Sequence, residues 1–130
     1  MATGLAKKLF LVKSEQALLI NQPEGYIDRL KSEVPDKTIL MAESPEKVDF
    51  VHLFVKNSEE LKRLFGLALK CLKTDAFFWV SYPKKSGKLK SDLSRDSLVS
   101  LLHEQGYEGV SLISIDDTWS AMRVRPMEKK

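Results

Sequence analysis

The chain has 130 residues, of which 43% are hydrophobic and 30% are charged, and its formal net charge is +3. Such values are ordinary for a globular protein and exclude a disordered or fibrous chain. The net charge is too small to indicate nucleic acid as the main partner. We expect one domain over residues 1–130, with a lead-in at residues 1–14 and a frayed tail at residues 127–130.

Cysteine content and the N-terminal segment indicate where the protein works. Cys71 is the single cysteine, so no internal disulfide can form, and a reducing cytoplasm is the expected compartment. No cluster of Cys and His has the spacing of a metal site, so we predict no metal. Residues 1–20 interleave charges with apolar side chains and contain neither a membrane span nor a signal-peptide core. We therefore expect no membrane partner.

The first half of the chain predicts a strand, a helix and two further strands. An apolar run at residues 16–21 is typical of a buried strand, and the turn "QPEG" closes it. Helical spacing follows at residues 26–33, and residues 37–42 predict the second strand. The β-branched and aromatic run at residues 48–55 indicates a strand buried on both faces. The short link between these two strands implies either an antiparallel pair or a stretched connection.

The second half predicts two helices that alternate with three strands. The helices cover residues 57–73, capped by Asn57 or Ser58, and residues 94–107. The apolar stripe of the first of these consists of Leu61, Leu64, Phe65, Ala68 and Leu72. The strands cover residues 75–82, 109–116 and 118–126, and the last two are close enough in sequence to form a hairpin.

Alternating strands and helices, with continuous apolar runs for the strands, indicate an α/β three-layer sandwich. We predict a single Rossmann-like domain with a mostly parallel sheet of about six strands and a C-terminal antiparallel hairpin. Ligands of such sheets bind beyond the carboxyl ends of the parallel strands, near the following helices. The candidate site therefore lies among the segments that follow the strands.

The stretch "YPKKSGKLKSDLSRD" follows the fourth predicted strand and is strongly basic. Lys84, Lys85 and Arg95 are placed to join the positive end of the helix near Ser94 and hold a phosphate, carboxylate or sulfonate. The alternative is a solvated loop in which a serine or aspartate only caps the helix. We favour ligand binding for those three cations. We assign solubility to the middle lysines, Lys88 and Lys90.

Other side chains near this edge leave alternatives open. Asp116 and Asp117 are either hairpin-turn residues or partners of Arg95 or Lys84. Tyr82 and Trp119 fit packing groups with a hydrogen-bonded polar tip better than stacking platforms. The full candidate ligand-binding set is Tyr82, Lys84, Lys85, Ser94, Arg95, Asp117 and Trp119.

The reactive residue types give no catalytic constellation. Cys71 lies beside the apolar stripe of its helix, which favours an inert buried thiol over a nucleophile. His52 lies inside an apolar strand and His103 lies near a helix end, and the sequence suggests no Ser or Cys partner for either. We predict no catalytic residue.

Four segments together resemble an uncharacterised bacterial domain-of-unknown-function family of small Rossmann-like proteins. They are "INQPEGY", "VDFVHLFVKNSEEL", "FWVSYPKKSGKLKSDLSRD" and "ISIDDTWSAMRVR". The similarity covers nearly the whole chain, and the pairing of "YPK" with a later "DxTWSA" is fairly specific. The resemblance implies a bacterial protein with this fold and carries over no established activity.

A more distant resemblance is to the core of class I methyltransferases that use S-adenosylmethionine. In that family a glycine-rich first turn approaches the cofactor and an acid binds its ribose, which implies cofactor-binding roles for Asn21, Gly25 and Glu43. Here the turn keeps only Gly25, and Pro23 removes a backbone donor. The family's middle strand and helix have no counterpart between Glu43 and Val48. These departures favour a trimmed relative that has lost the cofactor.

Three functions are compatible with this sequence. The favoured one is a non-catalytic protein whose basic rim binds a small anionic ligand or a protein partner. The alternative is an S-adenosylmethionine-dependent methyltransferase or another small transferase. The third is weak nucleic-acid binding through the basic loop, which lacks interleaved aromatic residues. The protein is expected to be a monomer, or a homodimer paired through an edge strand such as residues 37–42.

Overall fold

The computed structural model describes residues 16–22, 25–33, 38–41, 47–84, 93–115 and 118–126. Within these ranges the chain forms six strands and three helices. In chain order they are β1 (Gln16–Ile20), α1 (Tyr26–Glu33), β2 (Thr38–Met41), β3 (Val48–Phe54), α2 (Ser58–Lys70), β4 (Leu72–Pro83), α3 (Arg95–Glu104), β5 (Tyr107–Ser114) and β6 (Trp119–Pro126). The predicted lead-in and tail lie outside the described residues. No helix in the described ranges is long and apolar enough to cross a membrane.

The six strands form one sheet in the order β2-β1-β3-β4-β6-β5. β1 pairs in parallel with both β2 and β3, and β3 pairs in parallel with β4. β6 is antiparallel to both of its neighbours, β4 and β5. The predicted mostly parallel sheet with a C-terminal antiparallel hairpin is therefore confirmed. The antiparallel alternative for β2 and β3 is wrong, because the two strands lie on opposite sides of β1 and run in the same direction.

Helices cover both faces of this sheet. α2 and α3 pack on one face, and α1 packs on the other. The continuous apolar sequence of β3 reflects this sandwich, because only Asp49 in that strand is less than fully covered. The core between α1 and the sheet contains two residues of the helix and several large aromatic groups of the sheet. They include Tyr26, Leu30, Phe50, Phe54, Trp79 and Trp119.

The helix α2 follows most of the predicted apolar stripe. Leu61, Phe65 and Ala68 are buried, and Leu64 is partly buried against the same cluster. The predicted fifth member, Leu72, is outside the helix, because α2 ends at Lys70 and Leu72 begins β4. The backbone explains this difference: the amide of Val48 donates to the Cys71 carbonyl at 2.7 Å, which starts the pairing of β3 with β4.

Two glycines offer opposite predictions for the same substitution. A Cβ at Gly109 in β5 would lie 2.4 Å from Met122 Sδ and 2.9 Å from its Cγ, and Met122 is buried. Gly109→Ala should therefore lower the free energy of unfolding by about 1 kcal/mol or more. Gly66→Ala on the exposed side of α2 should raise it by about 0.5–1 kcal/mol, because alanine is the better helix former and its Cβ meets nothing within 4 Å. Urea unfolding of both variants measures the difference, and changes of the same sign and size would contradict the close packing of Gly109.

Candidate functional site

The strand order contains one point at which the connections reverse direction. The chain goes from β1 to β2, which is the neighbour of β1 on one side. It goes from β3, the neighbour of β1 on the other side, to β4, which lies still further in that second direction. In open α/β sheets the crevice at the carboxyl ends of two such strands is where ligands bind. We call the space beyond the ends of β1 and β3, bordered by Asn21 and Gly25 on one side and Lys56 and Glu60 on the other, the switch-point crevice.

A hydrogen-bonded bridge spans this crevice. Asn21 follows β1 with a φ of 60°, a left-handed conformation that asparagine tolerates better than most residues. Its Nδ2 donates to the Phe54 carbonyl oxygen at 2.9 Å and to Glu60 Oε1 at 3.2 Å. The same Glu60 oxygen accepts from the Lys56 amide at 2.7 Å. The bridge therefore brings an amide, a carbonyl and a carboxylate to the mouth of the crevice.

Gly25 borders the crevice at the start of α1. Its φ is +85°, and a Cβ placed there would meet no atom of the described residues within 4 Å. Its carbonyl accepts from the Arg29 amide at 3.1 Å, which is the first hydrogen bond of α1. As far as the described residues are concerned, the Gly25 backbone is therefore open to close approach at a helix N-terminus.

A buried polar network lies under the same part of the sheet. Tyr26 Oη is 2.7 Å from His52 Nδ1, and His52 Nε2 is 2.5 Å from Ser81 Oγ. His52 and Ser81 are fully buried. Burial lowers the pKa of His52 to about 3, because the imidazolium would lose its hydration. The ring is thus neutral near neutral pH, and it donates from one nitrogen and accepts at the other.

The sequence suggested no serine partner for His52, and a signal for one was present. A histidine in a strand buried on both faces needs hydrogen-bond partners. Trp79 is the register partner of His52 on β4. Ser81 lies two positions further along β4 and therefore points to the same face. Counting this alternation would have identified Ser81, whereas the contribution of Tyr26 requires the packing of α1.

Aromatic rings surround the network and extend toward the last strand. The His52 ring stacks on Phe54, with centroids 4.2 Å apart and an interplanar angle of 19°. Tyr26 meets Phe54 edge to face at 4.8 Å, and Trp119 does so at 5.1 Å. Trp119 is 4% exposed, so this predicted site residue is a packing group in the core beneath the crevice.

Two of the predicted cations, Lys84 after β4 and Arg95 at the start of α3, lie toward the β4 and β6 part of the same edge. Lys84 Nζ donates to Ser114 Oγ at 2.6 Å, and the Lys84 amide donates to the Thr118 carbonyl at 2.8 Å. Tyr82 is almost fully buried. Burial raises the pKa of the Tyr82 hydroxyl, and the positive charge of Arg95 opposes that shift. We call this part of the edge, marked by Lys84 after β4 and Arg95 at the start of α3, the basic rim.

Ser94 holds the N-terminus of α3. Its Oγ accepts from the Ser97 amide at 3.2 Å, and Ser97 Oγ accepts from the Ser94 amide at 2.8 Å. This reciprocal capping box satisfies two of the backbone donors that a helix start leaves free. Ser94 therefore has the capping role that the sequence left open beside ligand binding.

Three predicted site residues lie outside the described residues, and their roles stay predictions: Glu43, Lys85 and Asp117. The same holds for Pro23, for Asp116 and for Lys88 and Lys90, which we assigned to solubility. Of the others, the structure brings Asn21 and Gly25 together at the switch-point crevice and places Lys84 and Arg95 at the basic rim. Glu60 was not among the predicted site residues, and its position at the crevice became visible with the folded chain.

Comparisons with known proteins place this fold. No family model and no curated protein sequence matches the chain. Among solved structures, the DhpI–SAH complex matches with a TM-score of 0.60 at 10% identity, covering 88% of this chain and 78% of that one. The glycopeptide N-methyltransferase MtfA matches with a TM-score of 0.58 at 7% identity, covering 98% of this chain and 91% of that one. The mitomycin 7-O-methyltransferase MmcR matches with a TM-score of 0.64 at 10% identity, covering 88% of this chain but only 49% of that one.

The chain has the fold of the class I methyltransferases. The neighbours include proteins solved with SAH or with (S)-adenosyl-L-methionine. The distant resemblance drawn from the sequence is thereby confirmed at the level of fold. Identities of 7% and 10% carry no further conclusion about the ligand of this chain.

Replacing His52 should remove an acid sensitivity of folding. The pKa of His52 is about 3 in the folded chain against 6.5 for a free histidine, so unfolding takes up a proton between these pH values. The stability is complete above the unfolded pKa and falls as the pH drops toward the folded one. From about pH 7 to pH 5, the parent should lose about 2 kcal/mol of unfolding free energy more than His52→Gln does.

Urea unfolding at the two pH values measures this loss. The control is His103→Gln, which changes an exposed histidine and should keep the acid sensitivity of the parent. An equal loss in the parent and in His52→Gln would contradict a neutral, buried His52.

Proposed function

We propose that the chain binds S-adenosylmethionine at the switch-point crevice, as the cofactor of a methyl transfer. The observation that carries the proposal is the open approach to the Gly25 backbone at the switch point of a methyltransferase-like sheet. A ligand reaching this point would meet free backbone and the polar groups of the bridge. The departures of the turn from the glycine-rich pattern do not close this approach, because the one retained glycine lies at the open position.

The groups at the crevice fit the amino-acid end of such a ligand. An ammonium group needs acceptors, and the Glu60 carboxylate and the Phe54 carbonyl supply them. A carboxylate group would be attracted to the positive N-terminal end of α1, which begins directly after Gly25. Asn21 would hold the carboxylate of Glu60 in place. The predicted ribose acid, Glu43, would complete the set.

The charge of the crevice argues against a phosphorylated nucleotide. Dinucleotide-binding sheets place a phosphate at a helix N-terminus near the switch point. Here the first turn of α2 carries Glu59 and Glu60, and a phosphate close to these carboxylates would be repelled. S-adenosylmethionine has no phosphate and carries a positive sulfonium, so the local charge favours this class of adenosyl ligand.

The chain's own contribution would be binding and orientation. When bound, S-adenosylmethionine supplies an electrophilic methyl group on its sulfonium. Transfer to an acceptor depends mainly on holding the two reactants in line. Gly25 and the Asn21–Glu60 bridge would fix S-adenosylmethionine. The buried apolar side chains of Phe54 and Trp119 would keep water from the inner side of this ligand.

A second candidate is a protein that binds an anion or a partner at the basic rim without catalysis. It is favoured by the placement of Lys84 and Arg95 on the same edge as Tyr82. It also explains why Asn21 and Glu60 are already hydrogen-bonded to one another across the crevice. In this reading the crevice is a structural joint and the basic rim is the site.

Calorimetric titration with S-adenosylhomocysteine tests the first candidate. We expect one molecule to bind per chain in the micromolar range. Glu60→Gln should weaken binding about tenfold, since it removes the charge from a hydrogen bond worth about 1.5 kcal/mol. Glu59→Gln is the matched control, because it removes the same charge from an exposed neighbour in the same helical turn, and it should leave the affinity nearly unchanged. Equal losses in both variants would contradict the role of Glu60.

The absence of heat at millimolar S-adenosylhomocysteine would contradict the proposal and leave the second candidate. That candidate predicts amide chemical-shift changes at Lys84 and Arg95 when inorganic phosphate is added. Lys84→Ala should suppress these changes, whereas Lys73→Ala, at an exposed lysine of β4, should not. Phosphate shifts spread evenly over surface lysines would contradict a site at the basic rim.

A further inference from the structure

The Tyr26–His52–Ser81 network is an unusual feature of the core beneath α1. It joins three polar side chains from α1, β3 and β4 among large apolar groups. Among the described residues, no buried side-chain nitrogen or oxygen lacks a hydrogen-bond partner. A buried network of this kind gives little net stability compared with apolar packing, and it is costly when one member is missing. What it does supply is a single allowed geometry.

The network begins at the residue after the ligand-facing glycine. Tyr26 is the first residue of α1 and directly follows Gly25. We use the name Gly25 turn for Gly25 and the start of α1. Gly25 has a φ of 85°, and glycine has wide conformational freedom, so contacts of the neighbouring side chains contribute to its position.

Two side chains connect the turn to the same strand. On the β1 side, the Asn21 amide donates to the Phe54 carbonyl. On the α1 side, the Tyr26 hydroxyl contacts His52. His52 and Phe54 are two positions apart on β3, and their rings stack. The turn is thus attached at both ends to one short segment of β3, directly below the switch-point crevice.

We propose that Tyr26, His52 and Ser81 are positioning residues, whose buried hydrogen bonds hold the Gly25 turn in its ligand-facing position. The inference rests on the proposed function for the identity of the ligand, but the positioning of the turn is a property of the chain itself. His52 transmits the constraint, because its ring contacts Tyr26 on one side and Ser81 on the other. The Tyr26 hydroxyl is the group that fixes the start of α1.

The network also reaches the β4 and β6 part of the sheet edge. Ser81 is followed by Tyr82, Pro83 and Lys84, which lead into the basic rim. The Ser81 carbonyl accepts from the Val55 amide at 3.0 Å, so its backbone is joined to the end of β3. One set of hydrogen bonds therefore holds the Gly25 turn and the start of the basic rim at a fixed separation.

A serine within hydrogen-bond distance of a histidine also raises the possibility of a nucleophile. Ser81 and His52 have no exposed surface, so a substrate atom has no route to Ser81 Oγ. A nucleophile must contact the reacting atom, whereas a positioning residue acts through its neighbours. The burial therefore assigns both residues to positioning.

Removing one hydroxyl tests the inference. Tyr26→Phe keeps the ring and its packing on Phe54 but leaves His52 without its partner on α1. Hydrogen exchange at the Arg29 amide, which is bonded to the Gly25 carbonyl, should accelerate about tenfold relative to a core amide such as Val51. Tyr107→Phe is the matched control: it makes the same change on the opposite face, where Tyr107 contacts Phe65, and the exchange ratio should stay that of the parent.

Ser81→Ala provides an independent second variant should Tyr26→Phe not fold. It frees the other side of the His52 ring and should also raise the Arg29 to Val51 exchange ratio. A purely structural role would speed both amides by the same factor through global unfolding and would leave the ratio unchanged. An unchanged ratio in the folded variants would overturn the inference.

The affinity for S-adenosylhomocysteine supplies the functional readout. Tyr26→Phe should weaken binding about fivefold to tenfold, and Tyr107→Phe should not. If the parent itself does not bind, the proposed function fails, while the exchange ratio still decides the positioning role. If the parent binds and the exchange ratio of Tyr26→Phe equals that of Tyr107→Phe, the positioning role fails and the proposed function stands.

Discussion

Parallel pairing on both sides of β1 is the constraint on which the rest of the structure depends. The parallel pairs β1–β2 and β3–β4 are each connected through a helix, α1 or α2, and these helices cover the two faces of the sheet. The residues Ala17 to Ile20 must therefore be apolar, and they are almost fully buried. Because the connections from β1 and β3 leave in opposite directions, a crevice between their carboxyl ends follows from the topology alone. The hydrogen bonds of Asn21 with Phe54 and Glu60 lie at that crevice.

Polar groups at this point solve two separate problems. The backbone ends of β1 and β3 need hydrogen-bond partners, and the Asn21 amide supplies one for the Phe54 carbonyl. The turn that leaves β1 needs a fixed position, and a tyrosine hydroxyl inside the core supplies an anchor through His52. Neither solution adds much to the stability of a sheet that buries so many large side chains. Their value lies in defining one arrangement of the edge.

Apolar periodicity was enough to predict most of the fold. The runs that became β1 and β3 are too long and too apolar to be loops, and the capped, amphipathic sequence of α2 is typical of a helix. Leu72 was assigned to the wrong element because its spacing suits both a helical stripe and the start of a strand. The direction of β2 could not be predicted, since it depends on which neighbour the strand pairs with.

The candidate site was only partly predictable. The rule for open α/β sheets directed attention to Asn21 and Gly25, because it depends only on where strands end. Glu60 escaped notice because a glutamate in the first turn of a helix has an ordinary local explanation, and its hydrogen bond to Asn21 spans 39 residues of sequence. The hydrogen bond between Tyr26 and His52 was not predicted for the same reason, because it joins residues far apart in sequence. Such contacts are created by packing and have no local signature.

The position of β2 has a consequence for the shape of any bound molecule. Among the described strands, β2 is the terminal one on its side of the sheet. Neighbouring strands are about 4.8 Å apart, so the switch-point crevice lies only about 7 Å from the axis of β2. A ligand anchored at Gly25 and extending across β1 would reach the border of the sheet within the length of a nucleoside. Its outer end would then lie beside β2, while the anchored end stays in the crevice.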